Sequence, residues 1–259
     1  MDALFRKKYT VGSGDMDMNY RLTKIAAVKF FQETFAMYCT KYNLAAFDVC
    51  DQNIVWVISD LHVEYTSSMP YWTEEFEVEI WISEKTALRT YADFRIYYKG
   101  KEIAKGDSCW YLLDKNTRRP IKSQDILSIF PVCEEKVFEQ KNKKMYKIEG
   151  EKISEKTHTV TVRDLDFNFH VNNLSYIWLA LETVPPEILE KYEANSYCVK
   201  FVKEAYLEDN LVCELYKQDN NYTARIYNKE DSADVCFVFS KYGDKTDFGR
   251  NPREAGVIF

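Results

Sequence analysis

Glycine and proline are scarce in this chain, 8 and 6 among 259 residues, which excludes collagen-like and low-complexity architecture. No apolar run approaches the roughly 18 residues that a membrane-spanning helix needs. Basic residues are not in excess: 35 Lys and Arg against 41 Asp and Glu give a net charge of -6. A polyanion-binding surface over the whole molecule is therefore not expected, and nucleic acid is a poor candidate partner. The seven cysteines are odd in number and contain no C-x-x-C pair, so neither a disulfide framework nor a zinc site is indicated, and no cofactor or metal is expected. Met1 to Lys8 has charges but no apolar signal segment behind them, and the expected compartment is the cytosol. What the chain does have is 46% hydrophobic and 15% aromatic residues, the composition of a well-packed globular protein.

The sequence also repeats itself. Tyr9 to Thr34 aligns without a gap on His158 to Thr183 at an offset of 149, with seven of 26 positions identical where ~1.5 would arise by chance. The matches include Asp15/Asp164, Asp17/Asp166, Asn19/Asn168 and Thr34/Thr183. Two copies of one unit are expected, over residues 1–132 and 157–259, joined by a polar linker at 133–156 that is rich in Lys and Glu.

Periodicity gives each copy a coarse plan. A short strand, about Phe5 to Val11 and Thr157 to Arg163, leads into D-x-D-x-N, where the apolar period changes from two to nearly four. In the second copy Leu174, Ile177, Trp178 and Leu181 form one helical stripe, which Asn172 or Asn173 can cap and Pro185-Pro186 can end or re-aim. The first copy's helix is expected from about Leu22 to Lys41. Four β-rich runs follow each helix, from Ile54 to Leu112 and from Tyr197 to Phe239, and are expected to pair in sequence. The class is α+β, a long helix against an antiparallel sheet, made twice.

Chemistry is expected at Asp166-Phe167-Asn168-Phe169-His170-Val171-Asn172-Asn173. If the segment is extended, Asp166, Asn168 and His170 point to one side and the two phenylalanines to the other. Acid, amide and imidazole then meet at the start of a helix, whose N–H groups can stabilise an oxyanion, and histidine is a residue type that moves protons near neutral pH. Asp and Asn before a helix are also ordinary capping and turn residues. The first copy has Arg21 where the second has His170; an arginine stays protonated, so that copy is expected to be chemically silent. His62 and His158 read as structural or surface histidines.

The run Asp166-x-Asn168-x-His170-Val171-Asn172-Asn173-x-x-Tyr176, continuing to Leu181-Glu182-Thr183-Val184-Pro185, resembles the acyl-acyl carrier protein thioesterases of plants and bacteria. The resemblance extends over nearly the whole chain. It implies a tandem double hotdog fold and hydrolysis of fatty acyl thioesters on acyl carrier protein, with the fatty acyl chain as the other part of the substrate. The family's catalytic Asp, Asn and His fall on Asp166, Asn168 and His170, and a Glu on the strand after the hotdog helix falls on Glu204. Many plant members carry Cys directly after that Glu; this chain has Ala205, so a cysteine nucleophile is not expected.

A thioester is already electrophilic and has a good leaving group, so an activated water and oxyanion stabilisation suffice. Water activation is assigned to Glu204 and His170, orientation to Asp166, and hydrogen bonding to substrate or oxyanion to Asn168. Competing readings are an acyl-coenzyme A thioesterase or another hotdog enzyme, and a catalytically inactive acyl-binding module. A homodimer is compatible with the sequence, and an acidic carrier would need a local basic patch, for which Arg6-Lys7-Lys8, Arg118-Arg119-Lys122 and Lys141 to Lys147 are the candidates.

Overall fold

The computed structural model describes residues 3–122, 126–139 and 147–245, and the chain divides into two compact units at Lys141/Asn142. In the first unit, strand β1 (Phe5–Thr10) leads to helix α1 (Lys24–Thr40) and the single turn α2 (Ala46–Val49), followed by β2 (Ile54–Tyr65), β3 (Glu75–Lys85), β4 (Thr90–Tyr98) and β5 (Lys101–Asp114). The second unit has β6 (Glu151–Thr159), α3 (Asn173–Thr183), α4 (Pro186–Lys191), β7 (Tyr192–Phe201), β8 (Asn210–Gln218), β9 (Asn221–Asn228) and β10 (Asp234–Asp244).

Within the first unit the strands run β1-β3-β4-β5-β2, all antiparallel, and within the second β6-β8-β9-β10-β7. Three strands in each unit form a meander, but β2 pairs with β5 and β7 with β10 rather than with the next strand in sequence. This departs from pairing in sequence. The cause is the connection after β2 and after β7, residues 66–74 and 202–209, which leaves the sheet instead of turning tightly.

The helices form where their caps allow, but the stripe expected on α3 is not its buried face: Tyr176, Ile177, Leu179, Ala180 and Thr183 are buried, while of the expected stripe only Ile177 is buried and Trp178 is 41% exposed. Thr23 Oγ1 accepts from Ala26 N–H at 3.0 Å to start α1, and Asn172 Oδ1 accepts from Leu174 N–H at 2.9 Å to start α3. Pro185 stops α3 and re-aims the chain into α4, whose first residue is Pro186. The buried stripe of α1 includes Phe31, stacked on Phe94 at 3.8 Å between centroids, and Phe35, stacked on Trp110 at 4.3 Å. Burial of a phenylalanine side chain of this kind contributes roughly 1.5–3 kcal/mol.

The stretch expected to be linker is partly structured. Residues 133–138 lie on the first unit's sheet, with Cys133 N–H donating to Ile82 O, Trp81 Nε1 to Glu135 O, and Val137 N–H to Asp93 Oδ1. Strand β6 begins at Glu151 and ends at Thr159, six residues ahead of the strand expected at Thr157 to Arg163, and 162–164 form a 3-10 turn. Its alternating charges, Glu151 to Lys156, are those of an edge strand open to water on one side. Lys141, Lys143 and Lys144, and the part of the expected second unit at 246–259, lie outside the described residues.

Candidate functional site

The segment 166–170 is a turn rather than an extended strand. Asp166 N–H donates to His170 O at 2.8 Å, Phe169 N–H to Asp166 O at 3.1 Å, and Phe169 takes a left-handed backbone with φ of 62°. The carboxylate of Asp166 holds the turn closed: its Oδ1 accepts from Asn168 N–H at 2.8 Å and from His170 N–H at 3.3 Å. A short polar side chain that bonds the backbone two residues on competes with an extended ladder, which is why the alternation expected from a strand fails here. The exposures nevertheless alternate. Phe167 and Phe169 are 73% and 77% exposed, whereas Asp166, Asn168 and His170 are half-buried.

The first unit builds the same turn from the repeated residues. Asp17 Oδ1 accepts from Asn19 N–H at 2.8 Å and from Arg21 N–H at 3.1 Å, and Tyr20 takes φ of 59°. Each turn is then latched to the loop that leaves the sheet. Val171 N–H donates to Ala205 O at 2.9 Å and Glu208 N–H to Val160 O at 3.0 Å; the counterparts are Leu22 N–H to Pro70 O at 2.9 Å and Thr73 N–H to Val11 O at 3.1 Å. Asp166 and Asn168 thus occupy a framework that the chain makes twice.

What differs is the chemistry placed on it. In the second unit the latch sets His170 Nδ1 3.3 Å from Glu204 Oε1, with the two side chains 23% and 29% exposed. Glu204 was expected on a strand; it lies in loop 202–209, three residues beyond the end of β7, because Val202 and Lys203 N–H both turn to Val235 O and the chain then leaves the sheet. His170 Nε2 makes no hydrogen bond among the described residues, and neither does the side-chain amide of Asn168. Both stand next to the N-terminus of α3, whose positive end favours developing negative charge. Of the four residues expected at the site, His170 and Glu204 therefore meet side chain to side chain. Asp166 meets the backbone of Asn168 and His170, and the Asn168 amide stands half-buried beside them.

Tyr206 was not read from the sequence. Its ring meets that of His170 edge-on at 5.1 Å, and its hydroxyl donates to Glu204 Oε2 at 3.4 Å. A second repeat at an offset of 135 would have revealed it, since Tyr71 holds the corresponding place and accepts from Arg21 Nη2 at 2.7 Å. His62 stacks on Phe138, and His158 bonds Asp164 at 2.9 Å, below the turn rather than in it. The Asp164 carboxyl is held below its ordinary range: burial pushes it up, but the Thr161 amide and hydroxyl and the His158 ring outweigh burial.

All seven cysteines are free thiols. Burial pushes Cys213 up to about 12 and raises Cys39, Cys109 and Cys236 as well, so these four are inert as nucleophiles. Among the described residues, no group of three His, Cys, Asp or Glu side chains is placed to hold a metal.

Comparison with known proteins gives a consistent result. Residues 2–130 match the acyl-ACP thioesterase N-terminal domain and residues 147–241 the acyl-ACP thioesterase C-terminal domain. A chloroplastic acyl-[acyl-carrier-protein] hydrolase of Cuphea viscosissima is 24% identical over 265 residues, covering 93% of this chain and 63% of its own length. The chloroplastic palmitoyl-acyl carrier protein thioesterase of Gossypium hirsutum is 23% identical over 215 residues, covering 78% and 52%. The chain thus spans between half and two thirds of the length of these relatives. In structure it resembles an acyl-ACP thioesterase of Bacteroides thetaiotaomicron, with a TM-score of 0.82, 23% identity and coverage of 93% and 98%. It also resembles the 12:0-ACP thioesterase of Umbellularia californica, with a TM-score of 0.84, 20% identity and coverage of 95% and 99%. The shared fold is two hotdog units in one chain.

Proposed function

Because this chain belongs to the acyl-ACP thioesterase family, we propose that it hydrolyses fatty acyl thioesters on acyl carrier protein, releasing the free fatty acid and the carrier thiol. The observation that carries the reading within the molecule is the pairing of His170 Nδ1 with Glu204 Oε1 at 3.3 Å, made in the second unit beside a helix N-terminus. A carboxylate on Nδ1 fixes the imidazole tautomer and leaves Nε2 to take a proton, the arrangement of a general base with its orienting partner.

In the proposed reaction a water beside Nε2 gives its proton to His170 as its oxygen bonds to the thioester carbonyl carbon. Glu204 stabilises the imidazolium that forms. The carbonyl oxygen becomes an oxyanion, held by the amide of Asn168 and the N-terminal end of α3. The carbon–sulfur bond then breaks as the oxyanion collapses, and the proton passes from His170 to the departing thiolate. Asp166 acts by holding the turn that presents Asn168 and His170. No acyl group is transferred to the enzyme, so neither a serine nor a cysteine nucleophile enters.

The test is a hydrolysis assay on a panel of acyl carrier protein thioesters and the corresponding coenzyme A thioesters, at low and high salt. Preferential release of fatty acid from the carrier-bound panel is expected. The carrier is acidic and this protein carries -6, so docking relies on local cations such as Lys7, Lys8, Arg119 and Lys122, all exposed. Raising salt past ~0.15 M should accordingly weaken kcat/KM for the carrier substrates and leave a short soluble thioester unchanged. Higher activity on coenzyme A thioesters, with no salt effect, would reassign the substrate.

A further inference from the structure

Glu204 reaches His170 from a loop, so its aim has to be held by something other than the regular pairing of the sheet. It leaves the chain three residues beyond the end of β7, and its side chain is 29% exposed. Ordering a long side chain of this kind costs conformational entropy, and a carboxylate held by one oxygen alone still swings about its last bond.

Tyr206 touches both members of the pair. Its ring meets the imidazole edge-on, at 5.1 Å between centroids and 89° between planes, and its hydroxyl donates to Glu204 Oε2 at 3.4 Å. The other oxygen of the same carboxylate, Oε1, is the one 3.3 Å from His170 Nδ1. The three side chains therefore close a circuit of contacts, phenol to carboxylate, carboxylate to imidazole and imidazole to ring. Hydrogen bonds of a catalytic site are often long before substrate binds and shorten in the complex. The backbone beneath Tyr206 is pinned as well. Its N–H donates to Asp209 Oδ2 at 2.8 Å and Asp209 N–H returns to Tyr206 O at 3.1 Å, while Ala205 O and Glu208 N–H on either side are tied to Val171 and Val160. A tyrosine turns about only two side-chain bonds, so on a fixed backbone it stays stiff although it is 50% exposed.

The first unit separates the ring's part from the hydroxyl's. Tyr71 holds the place of Tyr206 on the same closed turn, where Tyr71 N–H donates to Glu74 Oε2 at 2.9 Å and Glu74 N–H to Tyr71 O at 3.0 Å. At that offset of 135 Met69, which is 5% exposed, stands for Glu204, and in the longer repeat Arg21 stands for His170. The Tyr71 ring lies 4.5 Å from the Arg21 guanidinium carbon, and its hydroxyl accepts from Arg21 Nη2. Contact between the tyrosine and the residue at the imidazole position is thus common to both units and belongs to the framework. Where the chain has a carboxylate in place of Met69, the hydroxyl is a donor instead, and it donates to that carboxylate.

We propose, on the hydrolase reading above, that Tyr206 is a positioning residue for the reaction: its hydroxyl holds the second oxygen of Glu204, and its ring steadies the imidazole, so that Oε1 stays on Nδ1. It acts through Glu204 and His170 and not on the substrate.

The experiment is Tyr206→Phe, which keeps the ring and removes the hydroxyl, in the wild type and in a Glu204→Gln background, with Tyr71→Phe as the matched variant of the first unit. Melting temperature, kcat and KM are measured on the thioester the wild type cleaves best. Tyr206→Phe is expected to melt as the wild type does, to lose ~10-fold in kcat and to keep its KM within about twofold. In the Glu204→Gln background the same substitution is expected to cause no further loss, because a hydroxyl that acts through the carboxylate has nothing left to hold. Tyr71→Phe, which loses the bond to Arg21, is expected to leave kcat within about twofold. An unchanged kcat in Tyr206→Phe overturns the inference. So does a loss that persists in full without Glu204, a loss matched by an equal loss of folded protein, or an equal loss in Tyr71→Phe. A wild type that hydrolyses none of the thioesters removes the hydrolase reading and this inference with it; an active wild type with an unaffected Tyr206→Phe removes this inference alone.

Discussion

His170 and Glu204 are half-buried rather than sealed, so a water and a thioester can reach them while the surrounding protein still strengthens their mutual attraction. The reaction assigned to them passes no acyl group to sulfur, and the cysteines agree with that at the level of single residues. Cys39, Cys109, Cys213 and Cys236 are buried, leaving Cys50 exposed and Cys133 and Cys198 half-buried. Treating the folded protein with a small alkylating reagent should modify Cys50 first and leave thioester hydrolysis within about twofold of the untreated rate. A modified cysteine peptide whose appearance tracks loss of activity would return a thiol to the mechanism. Much at this scale was legible beforehand. The motif singled out His170 and the family resemblance Glu204, and the structure brings the two together, while Tyr206 stayed hidden because its signal is a second repeat in a loop that breaks the first one's spacing.

At the scale of elements, the D-x-N turn and its latch are a device the chain uses twice, once beside the histidine–glutamate pair and once without it. Each holds a non-glycine residue at positive φ, Tyr20 at 59° and Phe169 at 62°, and such a backbone persists where surrounding bonds over-determine it. The carboxylates of Asp17 and Asp166 supply those bonds. Asp17→Ala and Asp166→Ala should therefore destabilise their units by similar amounts, about 1–2 kcal/mol each, as read by urea unfolding. The two should differ in activity, with Asp166→Ala losing at least ~100-fold and Asp17→Ala staying within a few-fold. Equal losses of activity would mean that the first turn serves the reaction too. The positions of the helices and of most strands were legible, but the buried face of α3 was not, because Trp178 and Leu181 continue an apolar stripe that the sheet does not cover. The pairing of β2 with β5 and of β7 with β10 was not, because register across a long connection depends on where the loop is latched. The turn itself misled for a related reason: alternating apolar and polar residues describe a strand equally well, and it is the Asp166 carboxylate bonding back to its own backbone that decides the outcome.

For the molecule as a whole, duplication explains an asymmetric protein made from two similar units. Both copies keep the helix, the five-stranded sheet order and the latched turn, and the first has Arg21 and Met69 where the second has His170 and Glu204. The 149-residue repeat made that architecture legible without a structure, since the same pattern of Asp, Asn and helix stripe returns intact. The division of labour is the central claim, and fatty acid release from an acyl carrier protein thioester under saturating substrate tests it most directly, with wild type, His170→Ala and Arg21→Ala compared side by side. The wild type is expected to release free acid, His170→Ala to fall by at least ~100-fold while still folded, and Arg21→Ala to remain within a few-fold of wild type. No release by the wild type, or an equal collapse of both variants, would contradict the account.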